Sequence, residues 1–347
     1  MTGNTLGWVI VAFVLYLLMM IAIGAFYAKG NNNSEDYFLG GRKLNGFVAA
    51  LSAQASDMSG WLLMGLPGAI YLTGVGGDGW IAIGLFIGTT LNWLFIATKL
   101  RRYTIRANNS VTLPTYFENR FHDEKKVLMT VSSITIVVFF LVYCASALSA
   151  GGQLFESVFG IDYHVALTIG ALVVLVYTFL GGFTAVCVTD FIQGMLMLVG
   201  ILAVPLFAYH FLTTGGTTLS AGLEASGADS ANFLNLMKNG DGSNNIISVI
   251  SGLGWGLGYF GMPHILVRFM AVRDEKEMTK SKATAISWVA LSLGFAVFIG
   301  ILGRAYLPEL VNGNNEKVFI EMIKKVFTVE MRAPFIAGLF LCGILAA

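Results

Sequence analysis

Charged side chains are scarce in this chain. They make up 12% of its 347 residues, about half of the roughly 25% that is usual in soluble domains. This scarcity excludes an ordinary water-soluble globular domain. The net charge is only +1, and the basic residues fall in particular loops rather than on one patch, so nothing points to a nucleic-acid partner.

Cysteine is also scarce, and catalytic motifs are missing. Cys144, Cys187 and Cys342 fall in apolar segments far apart in the sequence, which suits small core residues rather than a disulfide framework. The four histidines lack metal-ligand spacing. No nucleophile–base pair, metal cluster or phosphate-binding loop appears. We therefore expect no enzyme and no cofactor.

Apolar residues, in contrast, are abundant. They form 56% of the chain, and the mean hydropathy is +0.74. Repeated apolar runs of roughly 20 residues match the hydrocarbon core of a bilayer. The sequence predicts an all-α polytopic membrane protein, with residues 1–347 as one transmembrane domain cut short in its ninth span. The predicted spans are residues 6–28, 47–73, 80–98, 127–150, 164–182, 190–211, 246–270, 283–306 and, cut, 334–347.

The basic residues predict how these spans are oriented. Loops 29–46, 99–126 and 268–282 alternate with sparsely basic loops and hold 15 of the 21 Lys and Arg residues. Short loops rich in Lys and Arg face the cytoplasm. We therefore expect the N-terminus outside, in a multi-pass protein of the cell membrane. The second and seventh spans would then run antiparallel.

Those two spans are also the ones most interrupted by Gly, Pro and polar residues. Trp61 precedes Gly65 and Pro67 in the second span, and Trp255 precedes a Gly-x-Pro in the seventh. Antiparallel broken helices are typical of inverted-repeat transporters, in which unwound carbonyls bind a cation and half-helix N-termini face an anionic substrate group. The alternative is that both breaks are ordinary kinks.

Asp57 is the unusual residue of the second span. A carboxylate near the bilayer centre costs at least about 2.5 kcal/mol, so a compensating group is expected. We interpret that group as a cation. The alternative is a structural carboxylate paired with Arg42. Ser59 either adds a hydroxyl ligand or is satisfied within its own helix.

Four motifs carry a family resemblance that extends from the first span to Ala347. The chain resembles the sodium/solute symporter family. The resemblance implies a leucine-transporter-like core, a five-helix inverted repeat, with the first span as an extra N-terminal helix. The motifs are ASDMSGWLLMGLPGA, ANNSVTLPTYFENRF, FLGGFTAVCVTDFIQG and GWGLGYFGMPHILVRFMA.

The resemblance implies a sodium site. Its ligands would be the carbonyls of Ala55 and Met58, together with the carbonyl of Ala347 from the helix that begins at Pro334. Asp57 is implied as necessary for sodium binding. Because a hydroxyl pair of the family's site would lie beyond the last residue, we expect this chain to hold half of that site.

The resemblance also implies a substrate pocket. It would be lined by Trp255, Tyr259, Pro263 and Tyr143, with packing as the alternative role of these side chains. Family members often have Gln at the position of Met262, which leaves the substrate's identity open.

Four further residues are expected to take part in coupling or gating. Trp61 and Gly65 lie at the first break. Arg42 resembles an arginine linked to coupling, or else is a positive-inside anchor. Asp190 is either on the sodium path or a cap at a helix start.

The function implied is sodium-coupled uptake of L-proline by alternating access. The expected partners are Na⁺, L-proline or a similar small solute, and the lipid bilayer. Two alternatives stay open. One is a sodium symporter for another amino acid, a sugar or a sialic acid, and the other is a transporter-like input domain of a sensor protein.

Overall fold

The computed structural model describes residues 3–28 and 33–346, which are almost entirely helical. Five of the helical stretches are long and apolar enough to cross a membrane, and one bent pair forms a further candidate. The helices are α1 Gly3–Ala28, α2 Ser34–Leu39, α3 Gly46–Gly60, α4 Leu66–Thr73, α5 Val75–Leu91, α6 Ala97–Arg106, α7 Leu113–Phe121, α8 Val127–Phe159, α9 Tyr163–Thr214, α10 Leu219–Ala225, α11 Ser230–Phe233, α12 Ile246–Trp255, α13 Pro263–Ala271, α14 Glu275–Tyr306, α15 Val318–Ile323 and α16 Pro334–Ala346.

Short tighter or wider turns join several of these helices. A π-helical turn, Trp61–Gly65, connects α3 to α4, and a second, Asn92–Ile96, connects α5 to α6. A 3₁₀ segment, Gly256–Gly261, connects α12 to the residue before α13. The second, third and seventh predicted spans are therefore composite. The prediction of an all-helical, multi-pass membrane protein is confirmed as a fold class.

The fifth and sixth predicted spans differ from the expectation. We predicted a turn between residues 182 and 190, but α9 is helical on both sides of a break at Gly182, whose φ is 61° and ψ is −162°. An unbroken helix of 52 residues would be about 78 Å long, far more than a bilayer core of about 30 Å. One glycine makes the change of direction because it has no Cβ to clash at positive φ.

Several predicted loops are also shorter than expected. Helix α6 continues the third span to Arg106, α8 extends the fourth to Phe159, and α14 begins the eighth at Glu275. Apolar windows predict the buried length of a helix. They do not predict polar turns beyond the hydrocarbon, where water satisfies exposed groups.

Helix α3 lies at the centre of the bundle. Eleven of its 15 residues are buried, and it packs against α9, α13 and α14. Small residues allow this close packing, since Ala49, Ala50 and Ala53 are fully buried. The chain thus surrounds its first broken span with protein.

Helix α5 crosses α12 and the start of the following 3₁₀ segment through two pairs of glycines spaced four residues apart. Gly84 and Gly88 on α5 face Gly252 and Gly256, and a Cβ at any of the four would overlap the backbone of the partner helix. Spacing of this kind lets helix backbones approach closely in a membrane. The crossing brings the 3₁₀ segment of the seventh span against α5.

Gly252→Ala is therefore expected to lower thermal stability. Its Cβ would lie 2.7 Å from the carbonyl carbon of Trp80 and 2.8 Å from the backbone nitrogen of Ile81, so the helices must separate. Gly254→Ala, on the same helix with open space around it, is the matched control. Thermal unfolding of both purified variants tests this, and equal midpoints would contradict the role of the glycine crossing.

Candidate functional site

The first broken span changes direction at Ser59. This residue has a φ of 46° and a ψ of −170°, whereas Gly65 is helical at −63° and −55°. The break therefore precedes the position we expected from Gly65 and Pro67. Pro67 lies in the first turn of α4, where its missing N–H leaves no helical hydrogen bond unmade.

The second broken span opens at Met262, as the Gly-x-Pro predicted. Met262 is extended, with a φ of −72° and a ψ of 107°, and Pro263 begins α13. The two halves of the span meet at a bend of 46°. Proline favours an extended residue before it and a helix start at its own position.

The two breaks meet through a pair of tryptophans. The rings of Trp61 and Trp255 stack with centroids 6.0 Å apart and an interplanar angle of 24°. A Cβ at Gly65 would lie 2.8 Å from Cδ1 of Trp61, so glycine leaves room for the indole. The structure thus brings two expected gating residues beside an expected substrate residue.

The carboxylate of Asp57 is buried beside the second break. Its side chain is 2% exposed, and Oδ1 lies 3.6 Å from Nε2 of His264. Oδ2 is buried without a hydrogen-bond partner. The hydroxyl of Tyr143 lies 3.4 Å from the carbonyl oxygen of Asp57. Asp57 therefore faces the expected substrate residues.

Tyr143 of α8 completes this group. Its hydroxyl donates to the carbonyl of Ser56 at 2.6 Å, and its ring stacks on His264 with centroids 5.4 Å apart. Of the four expected substrate residues, Tyr143, Tyr259 and Pro263 thus surround the Asp57–His264 contact. Trp255 is the fourth of these residues, and it belongs to the stacked pair with Trp61.

The expected sodium ligands lie on another side of α3. Ala55 lines a cavity of about 480 Å³ that also reaches Leu345 near the end of α16. The carbonyl of Met58 accepts the N–H of Trp61 across the break. Ala347 lies outside the described residues. Ala55 and the end of α16 therefore line one cavity, which Tyr143 also lines, while the Asp57 side chain faces His264.

Asp190 is not a cap at a helix start. It lies within α9, where Oδ2 accepts from Nη2 of Arg268 at 2.8 Å, from Ser52 at 2.7 Å and from Ser56 at 3.0 Å. Arg268 also donates to both serines, at 2.8 and 2.7 Å. This buried network, Asp190–Arg268–Ser52–Ser56, joins α9, α13 and α3.

Arg42 makes a separate cluster. Its guanidinium donates to the carbonyls of Met270 and Ser110, each at 2.8 Å, and to Asn109 at 3.0 Å. Glu35 lies 3.6 Å away. Arg42 therefore links the segment before α3 to the end of α13, and the alternative in which it pairs with Asp57 is wrong.

The sequence did not single out three site residues. Arg268 was counted with a basic loop, although it follows Pro263 by little more than one turn. His264 has no metal-ligand spacing that would single it out. Asn92 lies at the π-helical turn of α5, a feature common at functional sites, and donates to the carbonyl of Tyr259 at 2.8 Å. Its Oδ1 is buried without a partner.

A second cavity, of about 760 Å³, leads to the same region. It extends from Tyr37, Phe38 and residues 111–115 to Pro263 and His264. The loops at its mouth, 29–46 and 99–126, are two of the three loops that are rich in Lys and Arg. This cavity connects the break of the seventh span with one end of the bundle.

Comparison with known proteins identifies the family. Residues 37–347 match the model of the sodium:solute symporter family. The chain belongs to this family, a class of membrane transporters.

Individual relatives are similar over nearly the whole chain. A sodium/proline symporter of Salmonella typhimurium is 44% identical and one of Haemophilus influenzae is 45% identical, each match covering 97% of this chain and 66% of the relative. One from Staphylococcus aureus is 42% identical, over 97% and 64%. The chain thus spans slightly less than two thirds of the length of these relatives.

The fold resembles a solved transporter structure. A Na⁺-coupled sialic acid symporter, in its substrate-bound outward-open state, matches with a TM-score of 0.78 over 98% of this chain and 70% of its own. The identity is 21%, so this likeness concerns the fold.

Breaking the Asp190–Arg268 pair is expected to destabilise the protein strongly. Asp190→Asn or Arg268→Gln alone leaves a buried unpaired charge and is expected to cost about 3–5 kcal/mol. The double variant is expected to lose less than the two single losses combined, because neither charge remains unpaired. Thermal unfolding of the purified variants measures this.

The exposed Arg102–Glu275 pair supplies the control. Its side chains are 53% and 55% exposed, and Arg102→Gln is expected to leave the unfolding temperature almost unchanged. Additive losses in the Asp190–Arg268 double variant would contradict a coupled network.

Proposed function

We propose that this chain forms the core of a sodium-coupled symporter that takes up L-proline by alternating access. The observation that carries the proposal is Asp57, a buried carboxylate between two broken helices with Oδ2 left unpartnered. An uncompensated carboxylate at membrane depth is costly, and a cation removes that cost. The relatives from Salmonella typhimurium and Haemophilus influenzae are named as sodium/proline symporters, so sodium is the proposed cation and proline the proposed solute.

The core is a five-helix inverted repeat of the leucine-transporter type, with α1 as the extra N-terminal helix. Two features support this arrangement. Each proposed repeat begins with a broken helix, interrupted at Ser59 or at Met262, and the breaks lie side by side through Trp61 and Trp255. Broken helices in corresponding halves are typical of such transporters.

The protein lies in the cell membrane with its N-terminus outside. The three basic loops then face the cytoplasm, and so does the mouth of the 760 Å³ cavity near Tyr37 and Val111. That cavity provides a path from the second break toward the cytoplasm.

Sodium binds at the first break. The carbonyls of Ala55, Met58 and Ala347 are the proposed ligands. Asp57 supplies negative charge near them, and Ser59, where the backbone breaks, adds a hydroxyl. The approach of Leu345 to the cavity lined by Ala55 supports a site between α3 and α16.

The solute binds between the aromatic side chains of Trp255, Tyr259 and Tyr143, beside Pro263. Aromatic faces suit the pyrrolidine ring of proline and its cationic nitrogen. The hydroxyl of Tyr143 lies 3.4 Å from the carbonyl oxygen of Asp57, so the proposed solute pocket adjoins the proposed sodium site. Binding at each site therefore favours the other by the same factor.

Four residues transmit or gate this coupling. Trp61, accommodated by Gly65, closes the pocket through its stack with Trp255. Asp190 ties α9 to both broken helices through its network with Arg268. Arg42 holds the end of α13. A shift of either broken helix would therefore displace the other.

Other solutes remain a second candidate. The fold likeness to a sialic acid symporter and Met262, where family members often have Gln, favour testing a further amino acid, a sugar or a sialic acid. A sensor's input domain would bind its solute without net uptake.

Uptake of labelled L-proline is expected to depend on sodium. Each Na⁺ entering down about 100 mV supplies about 2.3 kcal/mol, enough to concentrate the solute well above its outside level. Cells without their own proline uptake, expressing the full-length protein, are compared in sodium and in choline medium. Equal rates would reject sodium coupling, and binding without accumulation would favour the sensor. Competition by unlabelled amino acids, sugars and sialic acid identifies the solute.

Asp57→Asn is expected to abolish most sodium-dependent uptake. The amide keeps the size of the side chain but removes the charge that holds the cation. Asp241→Asn, in an exposed loop, is the control and is expected to transport normally. Uptake against sodium concentration is the measurement. An unchanged sodium dependence in Asp57→Asn would show that this carboxylate has no part in the site.

A further inference from the structure

His264 is a buried polar side chain that no expected role accounts for. Its side chain is 10% exposed, and neither buried ring nitrogen makes a hydrogen bond. Nε2 lies 3.6 Å from Oδ1 of Asp57, whereas Nδ1 has no polar partner. Buried polar groups in native proteins are almost always hydrogen-bonded, so an unsatisfied one requires an explanation. A neutral imidazole offers one N–H donor and one acceptor.

The position of His264 points to a ligand. It is the second residue of α13, and Met262, the N-cap, supplies no side-chain hydrogen bond to the first turn. The N-terminus of a helix attracts anions because its first N–H groups are unpaired and its dipole is positive there. The imidazole also lines the 760 Å³ cavity, so a solute can reach it.

The neighbours of His264 restrict what the ligand is. The ring packs against Tyr143 and Phe140, each with its centroid 5.4 Å away, and those two rings are 5.5 Å from each other. Three of the proposed substrate residues, Tyr143, Tyr259 and Pro263, are in the same group. A donor at a helix start, beside aromatic faces, suits the carboxylate of a small organic solute.

We propose that His264 binds the carboxylate of the transported solute, donating its imidazole N–H to one carboxylate oxygen at the start of α13. This inference rests on the proposed function and names the group that the pocket recognises. His264 is then a specificity-determining residue, because an amide or ester in place of the carboxylate would lose a charge-assisted hydrogen bond.

The same geometry explains why solute binding would require sodium. Oδ1 of Asp57 lies 3.6 Å from Nε2 of His264, so a carboxylate bound at His264 comes close to a second negative charge. Like charges at such distances repel strongly where little water screens them. A cation at the proposed sodium site, whose ligands Ala55 and Met58 flank Asp57 in the sequence, offsets that repulsion. A solute without a carboxylate would not need the cation.

The test compares L-proline with L-prolinamide as ligands of the purified full-length protein. Binding is measured as ligand-induced thermal stabilisation, in sodium chloride and in choline chloride. The wild-type protein is expected to prefer proline in sodium and to bind prolinamide weakly, with little dependence on sodium. His264→Phe keeps the aromatic stack on Tyr143 but has no donor.

His264→Phe is expected to weaken proline binding by about tenfold or more, while prolinamide binding stays the same. His264→Gln, which retains an N–H donor, is expected to recover part of the loss. His210→Phe, at an exposed position, is the matched control. Equal weakening of both ligands would assign His264 to packing, and unchanged proline binding would also overturn the proposal.

Failure of the proposed function gives a different result. If the wild-type protein binds no proline, other amino acids and sialic acid are compared with their amides or methyl esters. Loss of the carboxylate preference in His264→Phe for any pair would support His264 while rejecting proline. Absence of binding by every carboxylate solute would overturn the inference.

Discussion

The buried pairing of Asp190 with Arg268 is the interaction on which the rest of the site depends. Two charges are satisfied far from water by each other and by Ser52 and Ser56. The network occupies the junction of α3, α9 and α13, so it holds both broken helices against one unbroken segment. A pair of this kind adds little net stability, but it specifies which faces of the three helices meet.

The pairing also leaves the carboxylate of Asp57 without a basic partner from Arg268. Arg268 belongs to the same half-helix as His264, yet its guanidinium is directed to Asp190 and the serines. Arg42 is occupied by Asn109 and the carbonyls near it. Asp57 is left with aromatic neighbours and an imidazole 3.6 Å away. The proposed function requires a group that a cation neutralises reversibly, whereas a resident arginine would neutralise it permanently.

Several features of the fold and site were predictable because their causes are local. Apolar runs predict spans, and the Gly-x-Pro before α13 predicts its break, since proline cannot continue the preceding hydrogen-bond pattern. The predicted position of the first break was wrong because Pro67 is tolerated in the first turn of a helix. The π-helical turn Trp61–Gly65 also keeps the chain helical before it. Ser59 adopts positive φ through tertiary packing, which its residue type does not reveal.

The sequence alone determined the class of protein, the family and most of the candidate site residues. Hydropathy, the asymmetry of the basic loops and the four motifs are all properties of consecutive residues, so no tertiary contact is needed to recognise them. Tertiary structure alone decided which of those residues meet. Ser52 and Arg268 are 216 positions apart, and no local propensity specifies their contact. Only the packed bundle directs Asp57 toward His264 rather than Arg42, and places Ala55 on a cavity that the end of α16 also lines.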